Sequence, residues 1–96
     1  MATCRLNEAA VEDLERLYEF GVVSFGLDQA DQYYDGLIKR FYELADNPKL
    51  WQAVDYIRPG YRRSVYASHS IYYRIDGDTV EIMRILGKQD PKQEFS

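Results

Sequence analysis

The sequence of 96 residues contains one cysteine, one histidine and no long hydrophobic run. Cys4 alone cannot form an internal disulfide or a cysteine zinc cluster, so we expect a small buried side chain in a first strand. One histidine and scattered acids give no ligand spacing, and neither a metal nor a cofactor is expected. No apolar stretch approaches the roughly 20 residues of a membrane span, and the first residues lack the apolar core of a signal peptide. We therefore expect a cytoplasmic protein with no membrane partner.

The net charge of −4 conceals two different halves. Residues 1–50 hold 10 acidic and 5 basic side chains, a balance of −5, whereas residues 51–96 hold 6 and 7, a balance of +1. Between residues 56 and 75 the only charged side chains are four arginines: Arg58, Arg62, Arg63 and Arg74. Nucleic-acid binding normally needs a broad field of basic charge to displace counterions. Direct nucleic-acid binding is therefore not expected, and the arginines are more typical of solvated or interface-facing strands.

The first half of the chain predicts two helices that fold back on each other. Apolar side chains recur at helical spacing over residues 8–25, and Asn7 is a suitable N-cap. Gly26 ends this helix, Asp28 can cap the next one, and the second helix runs to about Asp46, before a proline. Because the connection is so short, the two helices must form an antiparallel hairpin.

The second half of the chain switches to the periodicity of strands, after an irregular stretch over residues 49–60. With the start of the chain included, four strands are predicted: Thr3–Leu6, 62–67, 69–75 and 79–86. The last two are joined at Asp76-Gly77, a hairpin signal that requires positive φ at both turn residues. The result is one domain over residues 1–96 with an α+β fold of order β-α-α-β-β-β. A helical hairpin packs on one face of a small, mostly antiparallel sheet.

The last predicted strand carries apolar side chains on both of its faces. Val80, Ile82 and Leu86 alternate with Met83 and Ile85, so a helical hairpin can cover only one of the two sets. The second set must be covered either by the chain's own loop and tail or by a bound partner. The sequence leaves both alternatives open.

Several short motifs follow one another along the chain. Residues 44–48 (LADNP) and 60–63 (GYRR) fit the pattern LAxNP…GYRR. Residues 68–75 (SHSIYYRI) fit SHxIxYRI, and residues 81–86 (EIMRIL) fit xIxRIL. In order and spacing these motifs resemble those of ParE-type toxins of the RelE/ParE superfamily, and the pairs Asp13-Leu14 and Phe25-Gly26 also match. The resemblance covers nearly the whole chain, and the fold it implies has the element order that periodicity predicts.

The chain departs from the family pattern at two positions. Gly87 follows the last motif where the family commonly carries histidine, and Trp51 stands where it commonly carries glycine. Because an indole replaces no side chain at all, we expect the loop around Trp51 to pack differently.

The resemblance admits a catalytic activity, because RelE-type relatives cleave messenger RNA in the ribosome. That reaction requires cations that stabilise a phosphate and a group that acts as general acid or base. Arg62, Arg63 and Arg84 could stabilise a phosphate, but no histidine or tyrosine follows Tyr73. His69 lies near a hairpin turn, where we expect it to make a structural hydrogen bond to the turn. We therefore assign no catalytic residue.

ParE-type relatives are associated instead with inhibition of DNA gyrase through protein–protein contact. The resemblance therefore implies a non-catalytic toxin, neutralised by a ParD-like antitoxin whose C-terminal segment folds on binding. We expect Arg62, Arg63 and Arg84 to contact the antitoxin or the target, with a buried, paired arginine as the alternative for Arg84. The alternatives for the whole chain are a ribosome-dependent endonuclease of the RelE type and an inactive relative that serves only as a binding module.

Overall fold

The structure is a computed structural model that describes residues 3–95. Its elements are, in chain order, β1 (Thr3–Leu6), α1 (Glu8–Phe25), α2 (Leu27–Asp46), β2 (Gln52–Ala53), β3 (Tyr61–Tyr66), β4 (His69–Asp76), β5 (Thr79–Leu86) and α3 (Pro91–Glu94). The predicted order β-α-α-β-β-β is confirmed. The structure adds a two-residue strand in the stretch predicted to be irregular and a short helix in the tail.

The two long helices are capped at one end and linked by a single residue. The Asn7 side chain accepts a hydrogen bond from the Ala10 amide at 2.9 Å, as predicted for an N-cap. Gly26 has φ +93°, a conformation that glycine adopts without strain, and α2 begins directly after it at Leu27. The prediction that Asp28 caps α2 is wrong, because the one-residue link places Asp28 inside the first turn.

Contacts along the two helices show that they run antiparallel, as predicted. Gly21 of α1 lies beside Ala30 of α2, close to the link. Further from the link, the Tyr18 hydroxyl donates to Asp31 at 2.5 Å, and its ring meets that of Tyr34 edge-on at 5.8 Å. Residues that contact each other across the two helices are further apart in sequence the further they lie from Gly26. This is the pattern of a helical hairpin.

The five strands form one sheet in the order β1-β5-β4-β3-β2, with β1 parallel to β5 and the other pairs antiparallel. The predicted edge position of the first strand is therefore confirmed. Between β4 and β5, Asp76 pairs with Thr79, which leaves Gly77-Asp78 as the loop. Only Gly77 has positive φ, +61°, which is the pattern of a type II′ turn. The prediction of positive φ at both Asp76 and Gly77 is wrong.

A β-bulge changes which side chains of β5 share a face. Tyr72 pairs with Arg84 and Tyr73 pairs with Ile82, so Met83 is an extra residue in β5. Val80 and Ile82 on one side of the bulge and Ile85 on the other pack against the helices, whereas Leu86 packs on the opposite face. The predicted common face for Val80, Ile82 and Leu86 is wrong, because strict alternation ends at the bulge.

The two faces of the sheet are covered by different parts of the chain. The helix face, which α1 and α2 cover, carries a core of buried residues: Ala10, Leu14, Leu37, Phe41, Leu44, Ile71, Tyr73, Val80, Ile82 and Ile85. On the opposite face, Val54, Tyr61, Tyr72 and Leu86 form a second cluster, against which Ile57, Met83 and Phe95 pack. We call this the tail face, because the chain's own loop and C-terminal tail cover the cluster. The sequence left open whether the chain's own loop and tail or a bound partner covers this second set of apolar side chains. In the structure, the loop and tail cover it.

The side of α2 that meets β3 holds an unusually close contact. A β-carbon at Gly36 would overlap the Tyr66 hydroxyl and would lie 2.6 Å from ring carbon Cζ. The guanidinium of Arg40 stands 5.4 Å from the centre of the Tyr66 ring and 5.7 Å from that of Trp51. The Trp51 indole, which we expected to change the packing of the loop, thus lies between Arg40 and the edge of the helix-face core.

Candidate protein-interaction site

Arg62 of β3 holds the loop after α2 against the sheet. Its Nη1 donates to the main-chain oxygen of Trp51 at 2.7 Å and to that of Lys49 at 3.3 Å. Beside it the Tyr73 hydroxyl donates to the main-chain oxygen of Pro48 at 2.6 Å. Burial raises the pKa of Tyr73 to about 12, with an opposing effect from the charge of Arg62. Both side chains therefore serve as anchors for this loop.

Arg84 lies beside the bulge of β5 and forms a buried ion pair with Asp13 of α1. Its Nε and Nη2 donate to the two carboxylate oxygens at 2.7 and 3.0 Å, and the Ile85 amide donates to the same carboxylate at 3.0 Å. Arg84 also reaches Glu94 of α3 at 3.2 Å. The hydrogen bond with Asp13 is the main cause that raises the pKa of Arg84. The structure thus shows the paired arginine that was the alternative for Arg84.

The role of Asp13 was not predicted from the sequence. Its side chain is 3% exposed although it is a carboxylate, and it lies on the buried side of α1 with Ala10 and Leu14. Buried carboxylates are rarely found without a cationic partner. An acid within the apolar stripe of a helix is therefore the signal that could have predicted a buried ion pair.

Arg63 differs from the other two predicted arginines, because its side chain is not engaged. Within residues 3–95 it makes no hydrogen bond and no ion pair. Across the sheet it pairs with Tyr72, which in turn pairs with Arg84, so Arg63 and Arg84 lie two strands apart, about 10 Å, on the tail face. Because successive side chains of a strand lie on opposite faces, the side chain of Arg62 lies on the helix face. The structure therefore does not bring the three arginines together, and their contact with an antitoxin or target stays a prediction.

The remaining arginines of the tail face are paired with groups of the chain itself. Arg74 and Arg5 flank Glu81, with nitrogen–oxygen distances of 2.7 and 3.4 Å, and Arg5 also pairs with Asp76 at 3.0 Å. The hydrogen bond from Arg74 is the main cause that lowers the pKa of Glu81. Arg58 donates to the main-chain oxygen next to the C-terminus, on Phe95. Two of the four clustered arginines, Arg58 and Arg74, are therefore paired with groups of the tail face.

His69, at the start of β4, is hydrogen-bonded to a helix. Its Nδ1 lies 2.7 Å from the hydroxyl of Tyr33 in α2, and that hydroxyl lies 3.1 Å from the main-chain oxygen of Tyr66. The prediction of a bond from His69 directly to the turn is wrong, because the pleat directs the ring towards α2, where Tyr33 intervenes. Burial lowers the pKa of His69.

A groove opens beside His69, between the helical hairpin, the β3–β4 turn and the segment that follows β5. It consists of two adjoining hollows of about 560 and 460 Å³. Both are lined by Leu17, Phe20, Ser68, His69 and Lys88. We call it the hairpin groove. Nothing in the sequence predicted it, because its walls come from segments that are far apart along the chain.

Other kinds of site find little support in the part of the chain that the structure describes. No three histidine, cysteine, aspartate or glutamate side chains of residues 3–95 gather in a way that could hold a metal ion. No helix there is long and apolar enough to cross a membrane. Burial raises the pKa of the Cys4 thiol to about 11, so this side chain stays protonated near neutral pH.

Comparison with solved structures defines the class of fold. A chain of the chromosomal ParDE toxin–antitoxin system from P. aeruginosa superposes with a TM-score of 0.80 at 21% identity, covering 93% of this chain and 98% of the other. A chain of the toxin–antitoxin complex RelBE2 from Mycobacterium tuberculosis has a TM-score of 0.69 at 20% identity, with 93% of each chain covered. The expected RelE/ParE-like fold is confirmed.

Sequence comparison then gives the family. Residues 4–90 match the family described as ParE toxin of type II toxin-antitoxin system, parDE. The chain is 38% identical over 82 residues to Toxin ParE1 of Mycobacterium tuberculosis, covering 84% of each chain. It is 34% identical over 86 residues to Toxin ParE1 of Caulobacter vibrioides, covering 90% of this chain and 88% of the other. The chain therefore belongs to the ParE family of type II toxin–antitoxin toxins, within the RelE/ParE superfamily.

Proposed function

We propose that this toxin acts in the cytoplasm by binding DNA gyrase, without catalysing a reaction, and that a ParD-like antitoxin neutralises it. The resemblance to the ParE branch supports the gyrase target. The antitoxin is supported by the parDE system to which the matching family belongs and by the likeness to a chain of the ParDE system from P. aeruginosa. A protein that inhibits by contact needs an accessible surface rather than an assembled set of catalytic groups.

The observation that carries the proposal is the separation of the three motif arginines between two faces of the sheet. A site that stabilises the transition state of phosphodiester cleavage needs cations that converge on one phosphate. Arg62 is bonded to loop carbonyls on the helix face, and Arg84 is bonded to Asp13. Of the three, only Arg63 has no bonded partner among residues 3–95, and arginines that are available for a new contact are common among the interface residues that dominate binding.

The direct test is a supercoiling assay with purified gyrase and increasing amounts of toxin. We expect inhibition by the unmodified chain, and about tenfold weaker inhibition by Arg63→Ala, equivalent to ~1.4 kcal/mol of binding free energy. Lys39→Ala is the matched control, because Lys39 is an exposed cation on α2 that makes no hydrogen bond or ion pair with the described part of the chain. It should inhibit as strongly as the unmodified toxin.

Three other results would point elsewhere. Full supercoiling at a large excess of a toxin that still arrests growth would rule out gyrase as the target. Cleavage of messenger RNA on purified ribosomes would instead favour an endonuclease of the RelE type. Normal growth on expression of the toxin alone would favour an inactive binding module.

A further inference from the structure

The last described residues of the chain lie on the tail face in the manner of a bound peptide. Residues 90–95, which we call the tail segment, comprise the short helix α3 and one residue on each side of it. No residue of α3 is buried, and a helix of four residues has no stability of its own in water. The tail segment is therefore held in place by its contacts with the rest of the chain.

Two consecutive side chains of the tail segment, Glu94 and Phe95, make contacts that differ in chemistry. The Glu94 carboxylate accepts a hydrogen bond from Nη2 of Arg84 at 3.2 Å. The ring of Phe95 meets those of Tyr61 and Tyr72 edge-on, with centroid distances of 5.1 and 5.4 Å. The acid and the aromatic ring are thus recognised by different groups of the sheet.

A further contact is made to the main chain of the tail segment. Arg58 donates a hydrogen bond to the main-chain oxygen of Phe95. We call the rings of Tyr61 and Tyr72, together with the guanidinium groups of Arg58 and Arg84, the aromatic site. Because a main-chain oxygen is present in every residue, the selectivity of this site comes from the side chains. It selects an acid that directly precedes an aromatic residue.

The aromatic site keeps its groups in place when the tail segment leaves. Tyr61 and Tyr72 lie on the paired strands β3 and β4 and belong to the buried cluster of the tail face. Arg84 keeps both of its hydrogen bonds to the carboxylate of Asp13, which do not involve Glu94. A site whose groups are already positioned loses little free energy to ordering when a new segment binds.

The cations around the aromatic site favour an acidic segment. Arg58 loses the acceptor of its hydrogen bond when the tail segment leaves. Arg63 lies on the same face, opposite Tyr72, and has no bonded partner among residues 3–95. Arginines next to aromatic rings form charge-assisted hydrogen bonds with carboxylates while the rings take up an apolar side chain. The face therefore offers contacts that the tail segment does not use.

We propose that the aromatic site docks a segment of a partner protein in which an acid directly precedes an aromatic residue, and that the tail segment is its competitor. The acid pairs with Arg84, and the aromatic ring packs against Tyr61 and Tyr72. Because the tail segment is tethered, it competes at an effective concentration on the order of millimolar. A partner displaces it by adding contacts, such as a second acid that reaches Arg63. This inference goes beyond the proposed function, because it does not depend on which protein is the target.

The test uses the full-length toxin and a labelled peptide with the sequence of residues 90–96, DPKQEFS. Phe95→Ala removes the ring of the competing tail segment, whereas Tyr42→Ala removes an exposed ring from α2, on the other side of the sheet. We expect Phe95→Ala to bind the peptide at least about tenfold more tightly than the unmodified toxin, because its site is more often open. Tyr42→Ala should bind the peptide like the unmodified toxin.

A control peptide tests the order of the two recognised side chains. The sequence DPKQFES has the same composition and charge as the first peptide, with the acid and the aromatic residue exchanged. Phe95→Ala should bind it at least about tenfold more weakly than the first peptide, since ring and carboxylate then cannot both reach their partners.

A second substitution in the Phe95→Ala variant locates the bound peptide. Arg58→Ala removes the donor to the main-chain oxygen, and Lys39→Ala removes the same charge from α2. We expect Arg58→Ala to weaken peptide binding by about fivefold, as for the loss of a hydrogen bond from a charged donor. Lys39→Ala should change it by less than about twofold.

Each comparison has a result that would overturn the proposal. These results are no gain in affinity on Phe95→Ala, equal affinity for the two peptides, and equal effects of Arg58→Ala and Lys39→Ala. Thermal unfolding checks that Phe95→Ala is folded. If it is not, Glu94→Gln takes its place, because it loosens the tail segment at a partly exposed contact and keeps the ring. Its expected gain in affinity is about threefold, and no gain would overturn the proposal.

Discussion

The helix face and the tail face of the same sheet are closed by very unequal amounts of structure. Helices of 18 and 20 residues cover the helix face, over a core of ten buried residues among those described. The tail face is closed by a loop, the four-residue helix α3 and one aromatic side chain, Phe95, over four buried residues. The stability of the fold should therefore depend mainly on the helix face, and the cover of the tail face should be the easier one to displace.

The same substitution on each face tests this difference most directly. Phe41 is 4% exposed in the helix-face core, and its replacement by alanine should cost about 4 kcal/mol of unfolding free energy. Phe95 packs edge-on against Tyr61 and Tyr72 but is only partly buried, so Phe95→Ala should cost about 1–2 kcal/mol. Urea denaturation of both variants measures the two values. Equal losses would contradict the unequal dependence on the two faces.

Arg84 offers a second comparison, because it is bonded to the covers of both faces. Asp13→Ala removes its buried partner on α1 and should destabilise the protein by about 3 kcal/mol, since a mostly buried guanidinium loses its main counter-charge. Glu94→Ala removes the more exposed partner on α3 and should cost about 0.5 kcal/mol. Chemical denaturation of the two variants measures the two losses of unfolding free energy. A larger loss from Glu94→Ala would show that the tail is the stronger attachment.

Gly36 tests how tightly the helix face is packed. Glycine to alanine within a helix normally stabilises by about 1 kcal/mol. Here the new β-carbon would overlap the Tyr66 hydroxyl, so Gly36→Ala should destabilise by about 2 kcal/mol instead. Thermal unfolding shows whether Gly36→Ala stabilises or destabilises the protein. In a Tyr66→Ala background the same change should become stabilising, and failure of that reversal would mean that Tyr66 is not the obstacle.

The two faces should also respond to acid in different pH ranges. The pKa of His69 is lowered by burial, so the unfolded chain binds its proton more readily, and stability is complete above pH 6.5 and falls as pH drops below it. The pKa of Glu81 is lowered by Arg74, so its contribution is complete above pH 4.5 and is lost as pH falls further. His69→Gln should reduce the dependence of stability on pH only in the upper pH range, and Glu81→Gln only in the lower one. These are the smallest effects, measured as unfolding temperature against pH.

The sequence was sufficient to predict the fold because its main signals are local. Asn7 and Gly26 mark the ends of helices, and the spacing of apolar residues distinguishes helices from strands. The errors arose where one residue changes the geometry of those that follow. Met83 as the extra residue of a bulge reverses the alternation of β5, and the Gly77-Asp78 loop shifts the turn by one residue.

The candidate site was harder to predict because it depends on contacts that are distant in sequence. Arg62, Arg63 and Arg84 look alike as motif residues, but one bonds to loop carbonyls, one has no partner within residues 3–95 and one is paired with Asp13, 71 residues away. The hairpin groove brings together α1, the β3–β4 turn and the residues after β5. Spacing along a chain does not contain that information without the register of the sheet.

The pairing of β1 with β5 has a consequence for the order of events during synthesis. Thr3 lies beside Thr79, and Leu6 beside Ile82, in parallel. β1 therefore has no neighbour in the sheet until β5 has been synthesised, and products terminated before β5 cannot complete the sheet. The folded toxin thus forms in each round of translation only after β5 has been made, which sets the earliest moment at which a partner could capture it.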